Sequence, residues 1–457
     1  MCVGAKLLPP ARIQYKDRTS DPGLKGQWNV NGHFAHPPKN PMPQGVEGPG
    51  YLIASVYSSG RSADHGTKDL NKTFIASVCK EALNLGIRLT PGGETIDWDG
   101  RDMGSLGAIM SKMQQCGVRL VIVLLEVDSY QTVKFVGDNL GLVTQCVKYK
   151  NVRSPPRGYA VNLMLKINTK LGGTNHTLAS RMSTMSNASA VASFQNPPES
   201  ISWVFNKPCM LIGIDISHPE ADKRETGKSI AAVVGSMDGW GGQYVAQLST
   251  KVGKTDIMAA DSEAGPGQLN DTGLTECMQD LLKTFRKRNN TWPEHLIIYR
   301  DGVSEGQFSD LLQKELSQIH EAIALVGGID MKICYVVCTK RHNNRLFFSD
   351  GSENAVAANV CAGLCIDKNA GQNSIVSSTL HEFYLNSHAT IQGTAKSCRY
   401  TMLYDEIGLR MSELELLTYW TTYLYPRCNR SVSLAAPAYL AHWAGKREVL
   451  HLRDTYL

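Results

Sequence analysis

The chain has 457 residues, 42% of them hydrophobic and 19% charged, a composition that leaves room for two or three globular cores. Its longest apolar runs, "RLVIVLL" and "SIAAVVGSM", are far too short to span a membrane, and "MCVGAKLLPPARIQYKD" is too polar and proline-rich for a secretory leader. A net charge of +5 is compatible with a nucleic-acid partner, and twelve cysteines scattered through apolar segments suit reduced thiols in an intracellular protein.

Residues 1–47 are rich in Pro, Gly, Asn and His and read as an extended connector laid over a surface. From 48 to 193 strands alternate with helices. "YLIASVY" precedes the helical "KDLNKTFIASVCKEALNLG", and "MGSLGAIMSKMQQCG" leads to the strand "VRLVIVLLE". A helix starting near Tyr130, a short strand at "TQCV" and a helix in "YAVNLMLKINTKLGG" follow. This alternation predicts a parallel, Rossmann-like sheet wrapped by helices. From 194 to 457 the pattern changes. "CMLIGIDISHP", "SIAAVVGSM" and "QYVAQLS" are three consecutive strands, followed by the amphipathic "GLTECMQDLLKTFRKR", the strand "HLIIYRDG", the helix "EGQFSDLLQKELSQIHEAIAL" and the strand "MKICYVVC". That order is the one expected of an RNase H-like sheet, so the whole chain reads as α/β.

Two motifs carry little chemistry. The Cys334/Cys338 and Cys361/Cys365 pairs have the wrong spacing for a zinc site, and the first lies in a strand where thiols act as small apolar groups. "RETGKS" at 224–229 lacks the leading glycine of a phosphate loop, having Asp222 there, and sits between two strands.

The carboxylates at strand ends carry more. Asp215 follows "MLIGI" and Asp301 follows "HLIIY", each leading into a turn. On neighbouring strands the two would converge and repel, and a hard divalent cation such as Mg²⁺ would remove the conflict. An isolated aspartate at a strand end is more often only a cap or turn residue.

"GIDISHP", "IIYRDGVSEGQF", "TKRHNNRLF", "HEFYLNSHATIQGTAK" and "RCNRSVSLAAPAYLAHWAGKR" resemble, in order, the PIWI domain of eukaryotic Argonaute proteins over most of 209–447. The resemblance implies a slicing centre of Asp215, Asp301 and His442 holding Mg²⁺, with Mn²⁺ as substitute, completed by a fourth acidic residue. Alignment puts Asp256 at that fourth position, with Glu263 in the Gly/Pro-flanked loop as its rival.

In the first half, "SYQTVKFVGDNLGLVTQCVKYKN" and "LMLKINTKLGG" place Tyr130 four residues before Lys134 and Lys166 four before Lys170, each pair on one helical face. An aromatic ring beside lysines at a helix N-terminus suits a terminal nucleotide, although amphipathic helices with extended lysines have the same pattern. Both stretches resemble the Argonaute Mid domain. The resemblance implies that Tyr130, Lys134, Gln145, Lys166 and Lys170 grip the 5′ phosphate of a small guide RNA, that Arg447 reaches it from the PIWI side, and that Asn151 is a weaker match. Lys340, Arg341 and His342 offer donors for the guide backbone, and "LLEVDS" departs from the animal pattern for reading the first base.

"LLPPARIQY" and "GQWNV" are similar to the linker before Mid, and nothing resembles an N-terminal or PAZ domain, so the expectation is the Mid–PIWI half of a longer protein. The implied activity is guide-dependent cleavage of complementary target RNA by a monomeric, cytoplasmic or also nuclear silencing effector with possible partner proteins and no membrane association. The alternative is a non-cleaving guide-binding module that recruits silencing partners.

Overall fold

A computed structural model describes residues 3–38, 51–60, 62–178, 202–218, 228–239, 241–252, 258, 273–327, 330–348, 358–368 and 375–454. The expected domain junction near 193 and the "SNASAVASFQNPPES" stretch lie outside these residues, as do Asp256, Glu263 and residues 224–227 of "RETGKS".

The first unit is a parallel sheet of β1 (Tyr51–Ser58), β2 (Leu89–Pro91), β3 (Ile96–Trp98), β4 (Leu120–Leu125) and β5 (Val143–Lys148), in the order β2-β1-β4-β5 with β3 also on β1. Its strands are continuous apolar runs because helices cover both faces. Helices α1 (His65–Asn84) and α4 (Tyr159–Lys170) bury Phe74, Val78, Leu163 and Ile167 against Ile53, Leu120 and Ile122. On the other face α2 (Met103–Gln115) and α3 (Tyr130–Asn139) bury Leu106, Met110 and Val133 against Val56, Val121 and Val123.

The second unit is a nine-stranded mixed sheet. Its labelled strands are β6 (Cys209–Ser217), β7 (Lys228–Ser236), β8 (Tyr244–Val252), β9 (His295–Asp301), β10 (Lys332–Thr339), β11 (Leu364–Ile366), β12 (His381–Asn386) and β13 (Cys398–Asp405). The order runs Lys6–Leu7, β11, β12, β13, β10, β9, β6, β7, β8. The antiparallel β6-β7-β8 meander followed by parallel β9 and β10 is the expected RNase H-like core. Lys228 and Ser229 open β7 in a hairpin, so they are not at the start of a phosphate-cradling helix.

Side chains alternate across this sheet. Met210, Ile212, Ile214 and Ile298 face α5 (Leu274–Asn289) and α6 (Leu316–Leu325), the latter entered through a π-helical turn at Leu311–Glu315. Leu211, Ile297 and Tyr299 face α7 (Met411–Thr421) and α8 (Ala436–Asp454).

The N-terminal segment corrects one expectation. It is extended, but Ile13, Tyr15, Trp28 and Phe34 are core residues, not a surface covering. Lys6–Leu7 joins the large sheet beside β11, Ile13–Gln14 pairs with Thr177–Leu178, and Trp28 packs on His176 and Tyr423. The prolines suggest a linker because they break helices and strands. The large apolar side chains between them find burial in the crevice between the two units.

Candidate functional site

Two clusters form along one helix, α8. The first begins with register. In the parallel β6–β9 pair, Ile214 lies opposite Arg300, which brings Asp215 and Asp301 side by side at the strand ends and, by alternation, onto the α8 face. Gly302 follows with φ +87°, in the left-handed region where glycine costs nothing, and a Cβ there would sit 3.3 Å from Asp215 Oδ1. Gly213 lets α8 approach: a Cβ on it would lie 2.1 Å from the Pro437 carbonyl. With Ala438 and Ala441 also fully buried on the sheet, α8 delivers His442 to β6, and its Nδ1 lies 2.9 Å from Asp215 Oδ2.

The electrostatics are those of crowded acids. Burial, then the neighbouring Asp215 carboxylate, push the Asp301 carboxyl up to about 6, opposed by the Gly302 N–H, His442 and Arg300. Two adjacent carboxylates with one resisting ionisation fit a hard divalent cation in donor chemistry. The expected three-ligand arrangement is nevertheless not assembled. Among the described residues no three His, Cys, Asp or Glu side chains are spaced to share one ion, and His442 Nδ1 is engaged by Asp215. Lys340 bonds to Ser433, and burial lowers its pKa while the Asp301 charge opposes that; His342 meets the Ser397 carbonyl, and Arg341 is exposed.

The second cluster collects positive charge. The Lys134 ammonium, 2% exposed, donates to the Thr144 carbonyl at 2.8 Å and the Thr144 hydroxyl at 2.7 Å. Lys170 donates to the same carbonyl at 2.9 Å and to Gln145 Oε1 at 2.8 Å. Burial drives both lysine pKa values down, Lys170 strongly; Arg447 lowers both further and Lys134 also lowers that of Lys170, while the nearby Cys146 opposes the shift in each. Tyr130, 39% exposed, stands at the start of α3 with the Lys134 ammonium 5.6 Å from its ring centre. From α8, Arg447 reaches across to this cluster and is held by Asp138 of α3 at 2.6 and 2.8 Å.

Tyr130, Lys134, Gln145, Lys170 and Arg447 therefore come together in one cluster. Lys166 stands slightly apart: burial and then Arg427 lower its pKa, and Lys134 is not among its electrostatic neighbours. Asn151 hydrogen-bonds Tyr159. Sequence reading missed Thr144, whose carbonyl anchors both ammonium groups, Asp138, and Arg427, which stacks 5.1 Å above Trp443. An exposed tryptophan directly after His442, inside a segment already singled out, was the available signal for the last of these.

The Piwi domain family model matches residues 119–452. The chain belongs to the Piwi domain family. The C-terminal lobe of a budding yeast Argonaute matches it with a TM-score of 0.78 at 20% identity, over 99% of this chain and 89% of that one. Kluyveromyces polysporus Argonaute with a guide RNA gives 0.78 at 22% identity over 99% and 50%, and Drosophila Piwi 0.72 at 19% over 97% and 53%. This Piwi-family chain therefore has the fold of an Argonaute Mid–PIWI lobe and spans about half the length of the latter two proteins. In this frame the positive cluster lies in the Mid-like unit and the carboxylates in the PIWI-like sheet. No helix among the described residues is long and apolar enough to cross a membrane.

Proposed function

We propose that this chain binds a small guide RNA by its 5′ phosphate and hydrolyses the phosphodiester of a complementary target RNA at the Asp215–Asp301 centre. One observation carries the reading: helix α8 supplies His442 to the carboxylate pair and, five residues on, Arg447 to the lysine cluster. Neither cluster alone distinguishes a general nuclease from a general anion site. Both on one rigid helix make a machine that holds an RNA end and acts on RNA.

In the socket, burial lowers the pKa values of Lys134 and Lys170, and a phosphate dianion beside them would favour their charged form, while Tyr130 offers a ring for the first base. Specificity would then come from base pairing, with the protein gripping backbone and shape. At the other end, Asp215 and Asp301, with His442 beside them, would hold Mg²⁺ or Mn²⁺, which when bound lowers the pKa of water and neutralises phosphate charge. The chain's own contribution is orientation: the β6–β9 register fixes the carboxylates, Gly302 turns the strand away beneath them, and His442 sets the rotamer of Asp215. Monomeric action in the cytoplasm or nucleus belongs to the same reading. Asp256 is the proposed fourth acidic group.

The hydrogen bond that engages His442 with Asp215 favours a second reading, a guide-binding module that recruits silencing proteins without cutting. The 457-residue chain, incubated with 5′-phosphorylated guide RNA, complementary target and Mg²⁺, separates the two. The first reading expects one cut in the paired target, lost in Asp301→Ala with guide affinity retained. Tight guide binding with no cut establishes the second, and cutting that survives Asp301→Ala removes Asp301 from the mechanism.

A further inference from the structure

Behind the carboxylates, on the opposite face of the sheet, lies a polar cluster that the reaction does not itself touch. Arg300 is fully buried, and its guanidinium meets the fully buried Glu315 carboxylate at 3.0 Å from Nε and 2.9 Å from Nη2. Its Nη1 donates to the carbonyl of Asp301. Glu315 also accepts from the Tyr335 hydroxyl at 2.7 Å and from the backbone N–H of Met258 at 2.9 Å. One turn further on, Gln318 donates to the Met258 carbonyl and accepts from the Leu274 N–H at 3.2 Å.

Neutralising Arg300 would need only one face of the Glu315 carboxylate. Here the remaining acceptor capacity is used on a tyrosine and on the amide of a residue that belongs to no strand or helix. Met258 has both its N–H and its C=O held by side chains of one helical stretch, and its own side chain is fully buried. A backbone group fixed on both sides by buried polar partners has little freedom, because releasing either partner strands a desolvated group. Glu315 thus ties two things together: the strand end at Asp301, through Arg300, and the chain at Met258.

We propose that Glu315 and Gln318 are positioning residues for hydrolysis, forming a clamp that pins the chain at Met258 in a fixed relation to the strand ending in Asp301. Asp256, the proposed fourth acidic group, precedes the clamped residue by two positions in the sequence. The inference rests on Asp215 and Asp301 forming a hydrolytic centre.

The test compares the 457-residue chain with Gln318→Leu, which releases the Met258 carbonyl while leaving Arg300 paired. Tyr335→Phe, which removes one bond to Glu315, is the second and gentler variant. Four quantities are read: single-turnover cleavage with its Mg²⁺ dependence, affinity for guide and target, amide exchange in the peptide containing Met258, and Mn²⁺ affinity by electron paramagnetic resonance. The clamp expects faster exchange at Met258, cleavage slowed about tenfold or more, a higher half-saturating Mg²⁺ concentration, and unchanged guide and target affinity. A merely structural role would lower the melting temperature and leave the metal dependence where it was. Faster exchange at Met258 with unchanged cleavage and unchanged Mn²⁺ affinity overturns the proposal. If the parent chain does not cut, the hydrolytic reading fails by itself, and Mn²⁺ affinity decides the clamp: a loss in Gln318→Leu supports it, no change sinks it.

Discussion

A single methyl group should disturb both clusters at once. In Gly213→Ala the new Cβ would lie 2.1 Å from the carbonyl carbon and oxygen of Pro437 and 2.6 Å from the Ala438 nitrogen. Ordinary contact begins at 3.4 Å, so α8 and β6 must separate locally by about 1.3 Å, and neither partner is a flexible side-chain tip that could swing aside. The His442–Asp215 hydrogen bond, at 2.9 Å, lengthens past useful range with about half of that movement. Overpacking of this kind costs about 1–3 kcal/mol. The assays are thermal unfolding, guide binding by fluorescence anisotropy with phosphorylated and hydroxyl 5′ ends, and target cleavage. The variant should melt at a lower temperature, lose much of its preference for the phosphorylated end because Arg447 moves with α8, and cut more slowly. Wild-type melting together with wild-type cleavage would refute the close approach of α8 to β6 and the argument built on it.

Replacing Lys134 and Lys170 together by Met keeps much of their bulk but removes both ammonium groups from the Thr144 carbonyl. The phosphorylated guide should then bind at least about tenfold more weakly, with little change for a hydroxyl guide, and equal losses for the two guides would count against the socket. Lys166→Met should have a smaller effect in the same assay, since Lys166 faces Arg427 instead. Stability should fall in mild acid through His176, which is buried between Tyr15, Trp28 and Tyr423, its Nε2–H donated to the Tyr423 carbonyl. Burial lowers its pKa from 6.5 to about 4, so its contribution is complete above pH 6.5 and is lost as pH falls towards 4, amounting to about 3 kcal/mol. Denaturant unfolding at pH 7 and pH 5 measures this, and His176→Gln should flatten the difference; an equally steep variant would remove His176 as its source.

The alternation of strands and helices was legible in the first unit, because continuous apolar runs between amphipathic helices mark a covered parallel sheet. Asp215 and Asp301 were legible for the same reason, as acids placed where a buried run ends. Thr144 was not, since the group that matters includes its backbone carbonyl, which every residue possesses. Glu315 and Gln318 look in sequence like ordinary polar residues of an amphipathic helix, and only the depth of Arg300 beneath them reveals otherwise. The N-terminal connector misled because prolines signal the absence of regular structure and say nothing about burial.

From its sequence alone this chain determined which segments become strands, which residue types stand at their ends, and that a basic, aromatic-bearing stretch precedes an acid-bearing one. Tertiary structure decided which of those residues meet. Asp215 reaches Asp301 through the register of two strands 86 residues apart in sequence, and His442 reaches Asp215 because Gly213 leaves room for a helix. Arg447 then extends from that helix to the lysines of the other unit. Such meetings depend on packing distances of a few tenths of an ångström, which no local pattern of residues encodes.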